Sequence, residues 1–448
     1  MKFFRIVAPT SKSILQREII IALLSEEPTR IEFDSLANDT VQALRIAEQI
    51  GDCRVEIAES YRALLAEECV ARNFSADNLI YIKSCAAGSG EKSSAVIAKN
   101  FEKLRATCEV NCDESGLLLH LVAGYFAANL HGETVKIAGE GTLNSRRVSD
   151  LIRVLEAIGL KVNHAGEFLP LEISGEITCT KTEFSGLTGS QAISGLMIAL
   201  AECGGEIIAY NLKSRNYALM TAEVLKCRGY KFNLIQAGTD LSMRIFAGRA
   251  GSKCDFADCG DASGASFWFV LGVCRGGIEI ANLDPQSLQP DLAIVEIIRK
   301  CGAEVKFENG VFRIKKPANV LVAFDHDATN SPDLIPNLVV LASQCSGKST
   351  IRGAVRLRNK ESDRRAAILD ELAKVGIRVA LRDDDTFEII GGVQTSAEEA
   401  CVSSHSDHRI IMALCLAGLL AGRSLQFDST VAVGKSYPEF FYWLMKYE

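Results

Sequence analysis

Residues 355–365 read VRLRNKESDRR and contain four arginines, one lysine and two carboxylates. The strand-like run Ser349–Arg352 lies just before this segment, and the apolar-periodic run Ala366–Leu372 follows it. A corner this charged between a strand and a helix is typical either of a solvated face or of an anion-binding site. The same succession of polar corner and helix recurs along the chain, so the corner belongs to a repeat.

Six copies of one unit can be identified. Each copy opens with a polar corner and an apolar helix, passes through a strand to a second polar loop and a second helix, and ends in one or two strands. Most copies begin about 70 to 75 residues apart, and the first spacing is about 30 residues longer. The corners contain the Ser, Asp and Gly residues that helix N-caps prefer. They are Ser11–Ser13, Glu114–Gly116, Gly189–Gln191, Asp261–Ser263, Ser331–Asp333 and Ser406–His408.

A chain of 448 residues with six repeats suits two domains of three repeats each. We therefore predict an α/β protein with two similar domains, the first covering 10–258 and the second covering 1–9 plus 259–448. The longer first spacing predicts an insertion within 52–106, and a stretch of low hydrophobicity predicts a hinge at 248–259. A cleft between two domains is a common ligand site, so we expect the active site there.

Composition excludes several classes of partner. The net charge of -7 argues against a general nucleic-acid binder. No apolar run reaches the roughly 18 residues that a membrane span requires, and the apolar start of the chain ends at Ala8-Pro9, too soon for a signal peptide. The 15 cysteines form no C-x-x-C pair, so no zinc site is predicted. We predict a cytoplasmic protein without a nucleic-acid or membrane partner.

The segment Ser346–Thr350, SGKST, is similar to the end of a nucleotide-binding P-loop. The first glycine of that motif is replaced by Ala342, and the predicted order is helix, loop, strand, whereas the motif requires strand, loop, helix. Nucleoside-triphosphate binding is therefore not predicted.

Basic residues gather at the polar corners, where free helix N–H groups already favour negative charge. Arginine offers a planar fork for carboxylates and phosphates, and lysine offers a point charge. The pattern predicts a site for one or two substrates rich in phosphate and carboxylate, with Asp333 and Glu361 available for proton transfer. The basic residues are Lys12, Arg17, Arg146, Arg356, Arg358, Lys360, Arg364, Arg409 and Lys435.

Five motifs in this order resemble the signature set of the enolpyruvyl transferases, and in particular of the 5-enolpyruvylshikimate-3-phosphate synthase family. The resemblance spans essentially the whole chain. It implies two domains, each of three βαβαββ units in an inside-out α/β barrel, which agrees with the six repeats. The motifs are Ser11–Ser13 with Arg17, Asp261–Ser263, Lys360–Arg364, Asp407–Arg409 and Gly434–Pro438.

The resemblance also implies an activity, in which the enolpyruvyl group of phosphoenolpyruvate is transferred to the 5-hydroxyl of shikimate 3-phosphate in aromatic amino acid biosynthesis. It implies a monomer that uses no metal and no organic cofactor. Asp333 would accept the hydroxyl proton, Glu361 would protonate the methylene carbon, and Lys12 would assist both substrates. Residues implied to bind shikimate 3-phosphate are Lys12, Ser13, Arg17, Ser190, Gln191, Ser214, Tyr217, Asp333 and Lys360. Residues implied to bind phosphoenolpyruvate are Lys12, Gly116, Arg146, Gln191, Arg364, Arg409 and Lys435.

Three positions depart from the family pattern. His120 stands where an arginine is usual, and it would either affect the phosphoenolpyruvate side or only pack in the helix. Gly189 replaces a frequent serine, which leaves only its backbone for phosphate contact. Arg356 stands where some relatives carry asparagine, and it would either contact substrate or support Lys360.

Two other functions remain as alternatives. The sister family that acts on UDP-N-acetylglucosamine carries a reactive cysteine five residues before the arginine matched by Arg146, whereas this chain has Gly141 there. A catalytically inactive anion-binding homologue is the second alternative, but a pure binder does not need both Asp333 and Glu361.

Overall fold

The computed structural model describes residues 3–25, 27–56, 93–248, 259–392 and 399–447. The chain divides into two compact units, which we call the inserted unit, Lys12–Asp258, and the flanking unit, Met1–Ser11 with Cys259–Glu448. Most of the predicted insertion within 52–106 and most of the predicted hinge at 248–259 lie outside the described residues.

Four of the sheets share one strand order. The first two strands of each such repeat are parallel neighbours. The third and fourth strands form a β-hairpin, and the fourth strand pairs antiparallel with the second. In sheet order the strands of repeat 2 are Glu109–Asn111, Thr134–Ala138, Phe168–Ser174 and Lys161–Ala165. Those of repeat 3 are Lys181–Ser185, Gly205–Tyr210, Asp240–Ile245 and Phe232–Ala237. Those of repeat 4 are Phe4–Val7, Ile278–Ala281, Val311–Lys315 and Glu304–Glu308. Those of repeat 5 are Asp325–Asp327, Lys348–Arg352, Thr386–Ile390 and Arg378–Asp383.

Repeats 1 and 6 have partial versions of this sheet within the described ranges. Repeat 1 has the antiparallel strands Thr29–Phe33, Ser93–Lys99 and Gly51–Glu56, and repeat 6 has the parallel pair Ala400–Val402 and Leu425–Phe427. The predicted α/β fold is confirmed, and four of the six repeats have the complete βαβαββ arrangement within the described ranges. The first strand of repeat 4 is the N-terminal strand, so the chain leaves the flanking unit early and returns to it at Cys259.

Six buried helices open the six repeats at the predicted corners. Ser115, Asp261 and Asp407 cap three of them, each by accepting a backbone N–H from the first turn. The fifth helix is preceded by the 3₁₀ turn Pro332–Leu334, which holds Asp333. These first helices are Lys12–Ala22, Gly116–Asn129, Gln191–Ala199, Ala262–Arg275, Ile335–Ser343 and His408–Ala421.

Second helices complete the repeats, and four of them are preceded by a 3₁₀ turn. These turns place basic residues of the predicted site, because Arg146 directly follows the turn of repeat 2 and Lys435 is the last residue of that of repeat 6. The second helices are Asn38–Ile50, Ser149–Ala157, Arg215–Cys227, Ala293–Lys300, Arg364–Lys374 and Phe440–Tyr447, and Phe101–Ala106 is an additional helix in repeat 1. The turns are Gly141–Ser145, Pro290–Leu292, Ala354–Leu357 and Val431–Lys435.

The first helices of repeats 2 and 3 are in backbone contact through two glycines. A Cβ atom on Gly124 would lie 2.1 Å from the carbonyl oxygen of Gly195, and one on Gly195 would lie 2.3 Å from that of His120. Neither space admits a side chain, so glycine is required at both positions. This close packing brings the N-terminal ends of the two helices together.

Two exclusions from the sequence can be compared with the structure. Ser346–Thr350 connects the helix Ile335–Ser343 to the strand Lys348–Arg352, which confirms the helix, loop, strand order that a P-loop cannot have. Among the described residues, the structure has no helix that is long and apolar enough to cross a bilayer.

Candidate active site

In the inserted unit, Lys12 is held by one carboxylate. Lys12 is the first residue of its helix, and its Nζ lies 3.0 Å from Oδ2 of the buried Asp39. Gln16, one turn after Lys12, donates through Nε2 to the Asp39 carbonyl at 3.0 Å and to Ser115 Oγ at 2.9 Å. Because Ser115 caps the first helix of repeat 2, this network fixes the Lys12 ammonium beside that helix start.

Arg17 is buried among neutral groups. It donates to Thr221 Oγ1 at 2.8 Å, to the Ser13 carbonyl at 2.5 Å and to the Tyr217 carbonyl at 2.9 Å. Within the described ranges no carboxylate is paired with it. Burial lowers the pKa of Arg17 to about 10, with Tyr217 acting in the opposite direction, so the guanidinium is charged at neutral pH. A buried cation without a counter-charge favours an anionic ligand.

A chain of hydroxyl groups connects Arg17 to the first helix of repeat 3. Thr221 donates to Ser194 Oγ at 2.9 Å, and Ser194 donates to the Ser190 carbonyl at 3.1 Å. Ser190 is buried at the start of that helix, and Ser214 is buried in a left-handed conformation, φ +54°, at the start of the next one. Two helix N-termini thus lie in the same hydrogen-bonded region as Arg17, as an anion site requires.

Gly116, Arg146 and Gln191 lie together, as predicted for one substrate subsite. A Cβ atom on Gly116 would be 3.3 Å from Arg146 Nη1 and 3.6 Å from Gln191 Oε1. Arg146 Nη2 also donates to Thr142 Oγ1 at 3.3 Å, which ties the guanidinium to its own 3₁₀ turn. Glycine at 116 therefore leaves the Arg146 guanidinium room to reach the helix N-terminus.

His120 lies one helical turn after Gly116 and contacts its carbonyl oxygen. Its Nδ1 is 2.7 Å from the Gly116 carbonyl oxygen, and because a carbonyl can only accept, Nδ1 carries the proton. Burial lowers the pKa of His120, although this hydrogen bond opposes the shift. The side chain at this departure from the family pattern is thus a neutral imidazole turned toward the start of its helix.

In the flanking unit, Arg364 connects three carboxylates. Its Nε donates to Asp407 Oδ2 at 2.7 Å, its Nη1 to Asp333 Oδ1 at 2.6 Å and its Nη2 to Glu361 Oε2 at 2.6 Å. The Arg364 side chain is 1% exposed. Burial alone would lower its pKa, but the charges of Asp407, Glu361 and Asp333 outweigh burial and raise it. Asp333, the predicted base, and Glu361, the predicted acid, therefore accept hydrogen bonds from the two terminal nitrogens of one guanidinium.

Asp333 is held in its ionised form by three cations. Lys360 Nζ lies 3.1 Å from Asp333 Oδ1, which also accepts from Arg364. Burial favours the neutral carboxyl, but the charges of Lys360, Arg364 and Arg409 hold the pKa of Asp333 well below its usual range. Because Asp333 is ionised, it can accept a proton, but its low pKa makes it a weak base.

Arg409 is the cation with the most unused donor capacity at this site. It is 5% exposed, and in the part of the chain that the structure describes its Nε and Nη1 have no hydrogen-bond partner. Lys435 is also 5% exposed at the end of its 3₁₀ turn. Arg356 is half-buried, and burial lowers its pKa while the nearby Asp333 raises it. Buried guanidinium donors without partners are costly unless a ligand accepts from them.

Sequence reasoning missed the residues that hold the basic groups in place. Asp39, Thr221 and Asp407 contact Lys12, Arg17 and Arg364 respectively, and none was predicted to be a site residue. Asp39 and Asp407 lie at helix starts, where a capping role is the ordinary expectation. Thr221 lies one helical turn after Tyr217, and that spacing was the one available signal for it.

No group of three or more His, Cys, Asp or Glu residues in the described ranges is arranged to hold a metal ion.

The fold is that of the enolpyruvyl transferases. The structure superposes on EPSP synthase from Acinetobacter baumannii with a TM-score of 0.73 at 19% identity, covering 99% of this chain and 96% of that one. It superposes on the enolpyruvyl transferase NikO from Streptomyces tendae with a TM-score of 0.71 at 15% identity, covering 99% of this chain and 94% of that one.

Sequence comparison assigns the family. The profile of EPSP synthase (3-phosphoshikimate 1-carboxyvinyltransferase) matches residues 63–444. The chain is 31% identical over 438 residues to 3-phosphoshikimate 1-carboxyvinyltransferase of Aeropyrum pernix, covering 97% of this chain and 91% of that relative. It is 33% identical over 450 residues to the protein of that name from Methanosarcina mazei, covering 97% and 93%. The chain belongs to the EPSP synthase family.

Proposed function

We propose that the chain transfers the enolpyruvyl group of phosphoenolpyruvate to the 5-hydroxyl of shikimate 3-phosphate and releases phosphate. The observation that carries the proposal is the arrangement around Arg364, where Asp333 and Glu361 bind neighbouring nitrogens of one buried guanidinium. A general base and a general acid fixed to the same cation suit a reaction that removes one proton and supplies another.

Shikimate 3-phosphate is assigned mainly to the inserted unit. Arg17 supplies a buried positive charge, and the starts of the helices after Ser190 and Ser214 supply free N–H groups for its phosphate. Asp333 and Lys360 are assigned to the hydroxyl side of this substrate. The full set is Lys12, Ser13, Arg17, Ser190, Gln191, Ser214, Tyr217, Asp333 and Lys360.

Phosphoenolpyruvate is assigned to the cations that remain. Arg409 has two buried donor nitrogens to offer within the described structure, and Arg146 reaches Gly116 and Gln191. Arginine forks match both the carboxylate and the phosphate of this substrate. The full set is Lys12, Gly116, Arg146, Gln191, Arg364, Arg409 and Lys435.

The chemistry proceeds by addition and elimination. Glu361 gives a proton to C3 of phosphoenolpyruvate, which makes C2 electrophilic. The 5-hydroxyl oxygen then bonds to C2 while Asp333 takes its proton, and a tetrahedral ketal phosphate forms. The C2–O bond to phosphate then breaks as the leaving phosphate takes the proton from Asp333, and C3 returns a proton to Glu361, which restores the enol double bond. The surrounding cations stabilise the charge that develops in each step.

The low pKa of Asp333 fits this sequence of steps. A weak base cannot deprotonate a free hydroxyl, so Asp333 takes the proton only as the new C–O bond forms. Phosphoenolpyruvate bound to Arg364 and Arg409 partly neutralises the charges that depress the Asp333 pKa. Binding of phosphoenolpyruvate thus raises the pKa of Asp333 and makes it a stronger base for the addition step.

We also propose that the chain acts in the cytoplasm, as a monomer and without a metal or organic cofactor. The basic cluster supports this, because it supplies the electrostatic stabilisation for which a metal would otherwise be used. Turnover should survive exhaustive chelation and give a rate per chain that is independent of protein concentration. Loss of activity on chelation, or a rate per chain that rises with concentration, would contradict this part.

The test of function is inorganic phosphate release from phosphoenolpyruvate by the purified protein. Release is expected with shikimate 3-phosphate as acceptor and not with UDP-N-acetylglucosamine. Release with the nucleotide sugar alone would favour the sister reaction. Binding of both proposed substrates without any release would favour an inactive anion-binding homologue.

A further inference from the structure

The helix Arg364–Lys374 holds the segment Ser403–Asp407 at two points. Arg364 Nε contacts Asp407 Oδ2 at 2.7 Å, at the end of the segment. Glu371 Oε2 accepts the Ser403 backbone N–H at 2.8 Å, at its beginning. Arg364 and Glu371 are seven residues, about two turns, apart, so they lie on the same face of the helix.

The buried Glu371 carboxylate accepts hydrogen bonds on both of its oxygens. Its side chain is 4% exposed, its Oε1 lies 3.3 Å from His405 Nε2, and Lys374 Nζ reaches both oxygens at 2.9 and 2.8 Å. Burial would raise the pKa of Glu371, but hydrogen bonds from Lys374, Ser403 and His405 outweigh burial and lower it. The contact with the segment is therefore made by a charged acceptor, which forms the stronger kind of hydrogen bond.

The segment itself has an unfavourable backbone. His405 has φ +49° and Ser406 has φ +52°, so two consecutive non-glycine residues are in the left-handed region. Asp428 adds support by accepting from Ser403 Oγ at 2.7 Å and from the Ser404 N–H at 2.8 Å. Such strain persists only where surrounding contacts determine the conformation, and here the contacts come from carboxylates.

Asp407, the residue after this turn, connects the segment to the predicted site residue Arg409. Asp407 caps the helix His408–Ala421 by accepting the Arg409 N–H at 2.9 Å, and it also accepts from Ser362 Oγ at 3.0 Å. The direction in which the Arg409 guanidinium leaves the helix start therefore depends on how the segment is held.

We propose that Glu371 is a positioning residue for the anion subsite. It holds Ser403–Asp407 in the left-handed turn and thereby aims Arg409. The identity of the anion as phosphoenolpyruvate rests on the proposed function, whereas the positioning role does not.

The test compares Glu371→Ala with Asp370→Ala, a matched control one residue earlier on the same helix whose side chain is exposed. Hydrogen exchange of the backbone amides from Ser403 to Arg409 is measured in both variants. Glu371→Ala should accelerate exchange roughly tenfold in this segment and leave the inserted unit unchanged. Asp370→Ala should behave as wild type.

Steady-state kinetics supply the second readout. Glu371→Ala should raise the KM for phosphoenolpyruvate roughly tenfold or more and change the KM for shikimate 3-phosphate less than about twofold, because displacement of Arg409 affects one substrate. A general loss of stability would not separate the two constants. Glu371→Gln keeps an acceptor for the Ser403 N–H but loses the charge, so it should give intermediate values if the alanine variant does not fold.

The outcomes separate the inference from the proposed function. Exchange and KM values in Glu371→Ala and Glu371→Gln that equal those of the control would overturn the positioning role. A wild-type protein that releases no phosphate would instead contradict the proposed function, and the exchange measurement would still decide the role of Glu371.

Discussion

Arg17 and Arg364 are both helix arginines with about 1% exposure, yet their surroundings differ completely. Arg17 donates to a hydroxyl and two backbone carbonyls, and its charge is not matched by a carboxylate in the described structure. Arg364 donates to three carboxylates, those of Asp333, Glu361 and Asp407.

The difference indicates a division of labour between these two arginines. A guanidinium that contacts only neutral groups retains its charge for a ligand. The neutral cage of Arg17, formed by Thr221 Oγ1 and the carbonyls of Ser13 and Tyr217, therefore suits binding of a phosphate. A guanidinium among carboxylates has its charge already neutralised, so the cage of Arg364 suits the orientation of an acid and a base. Arg17 thus serves the binding of a phosphate, and Arg364 serves the orientation of the acid and the base.

The largest expected effect comes from removal of the charged centre. Arg364→Met leaves three carboxylates close together without the guanidinium that they share, and Asp407 among them is fully buried, so the free energy of unfolding should fall by about 3–5 kcal/mol. Phosphate release should become undetectable. Chemical denaturation and the phosphate assay measure the two effects, with Arg365→Met, a partly exposed neighbour, as control. A loss of less than about 1 kcal/mol would mean that the carboxylates do not depend on Arg364.

A smaller effect, a loss of substrate affinity, is expected when Arg17 in the neutral cage is replaced. Arg17→Lys keeps the charge but cannot reach Thr221, Ser13 and Tyr217 at once, so the dissociation constant for shikimate 3-phosphate should rise roughly 100-fold. The exposed Arg30→Lys is the control, and titration calorimetry is the measurement. An unchanged dissociation constant would remove Arg17 from the phosphate subsite.

A still smaller effect is expected from Asp39, the carboxylate that pairs with Lys12. Asp39→Asn keeps the shape of the side chain but removes the charge that holds Lys12, so kcat/KM should fall roughly tenfold. Both substrates should be affected, because Lys12 is assigned to both. If only one KM changed, Lys12 would serve that substrate alone.

The smallest effect concerns pH. The depressed pKa of Asp333 means that its ion pairs stabilise the folded protein above the unfolded pKa of about 4, and that this stability is lost as pH falls through the folded pKa. Lys360→Met removes one of the depressing charges and should raise the Asp333 pKa. The acid limb of kcat/KM should then move up by roughly one pH unit. A profile that does not move would mean that a group other than Asp333 sets this limb.

The sequence predicted the repeats well because their signals are local. Capping residues such as Asp261 and Asp407 act within one helical turn, and apolar helices such as Gln191–Ala199 are recognisable without their neighbours. The P-loop likeness at Ser346–Thr350 could be rejected on the same local grounds.

The contacts within the site could not be predicted in this way. Asp333 and Arg364 lie 31 residues apart, and no local pattern specifies that they meet at 2.6 Å. Asp39 reaches Lys12 through the packing of two helices, and the His120 imidazole contacts the Gly116 carbonyl inside a buried helix. Side-chain pairing depends on how helix starts come together, which is a property of the packed fold.

The division of labour is tested most directly by measuring turnover and shikimate 3-phosphate binding in one variant, Glu361→Gln. Glutamine keeps the shape of the side chain and an acceptor for Arg364 but cannot give a proton, so turnover should fall roughly 10³-fold. The dissociation constant for shikimate 3-phosphate should stay within about twofold of wild type, because its phosphate is assigned to the cage of Arg17. Near-normal turnover, or a loss of binding equal to the loss of turnover, would contradict the account.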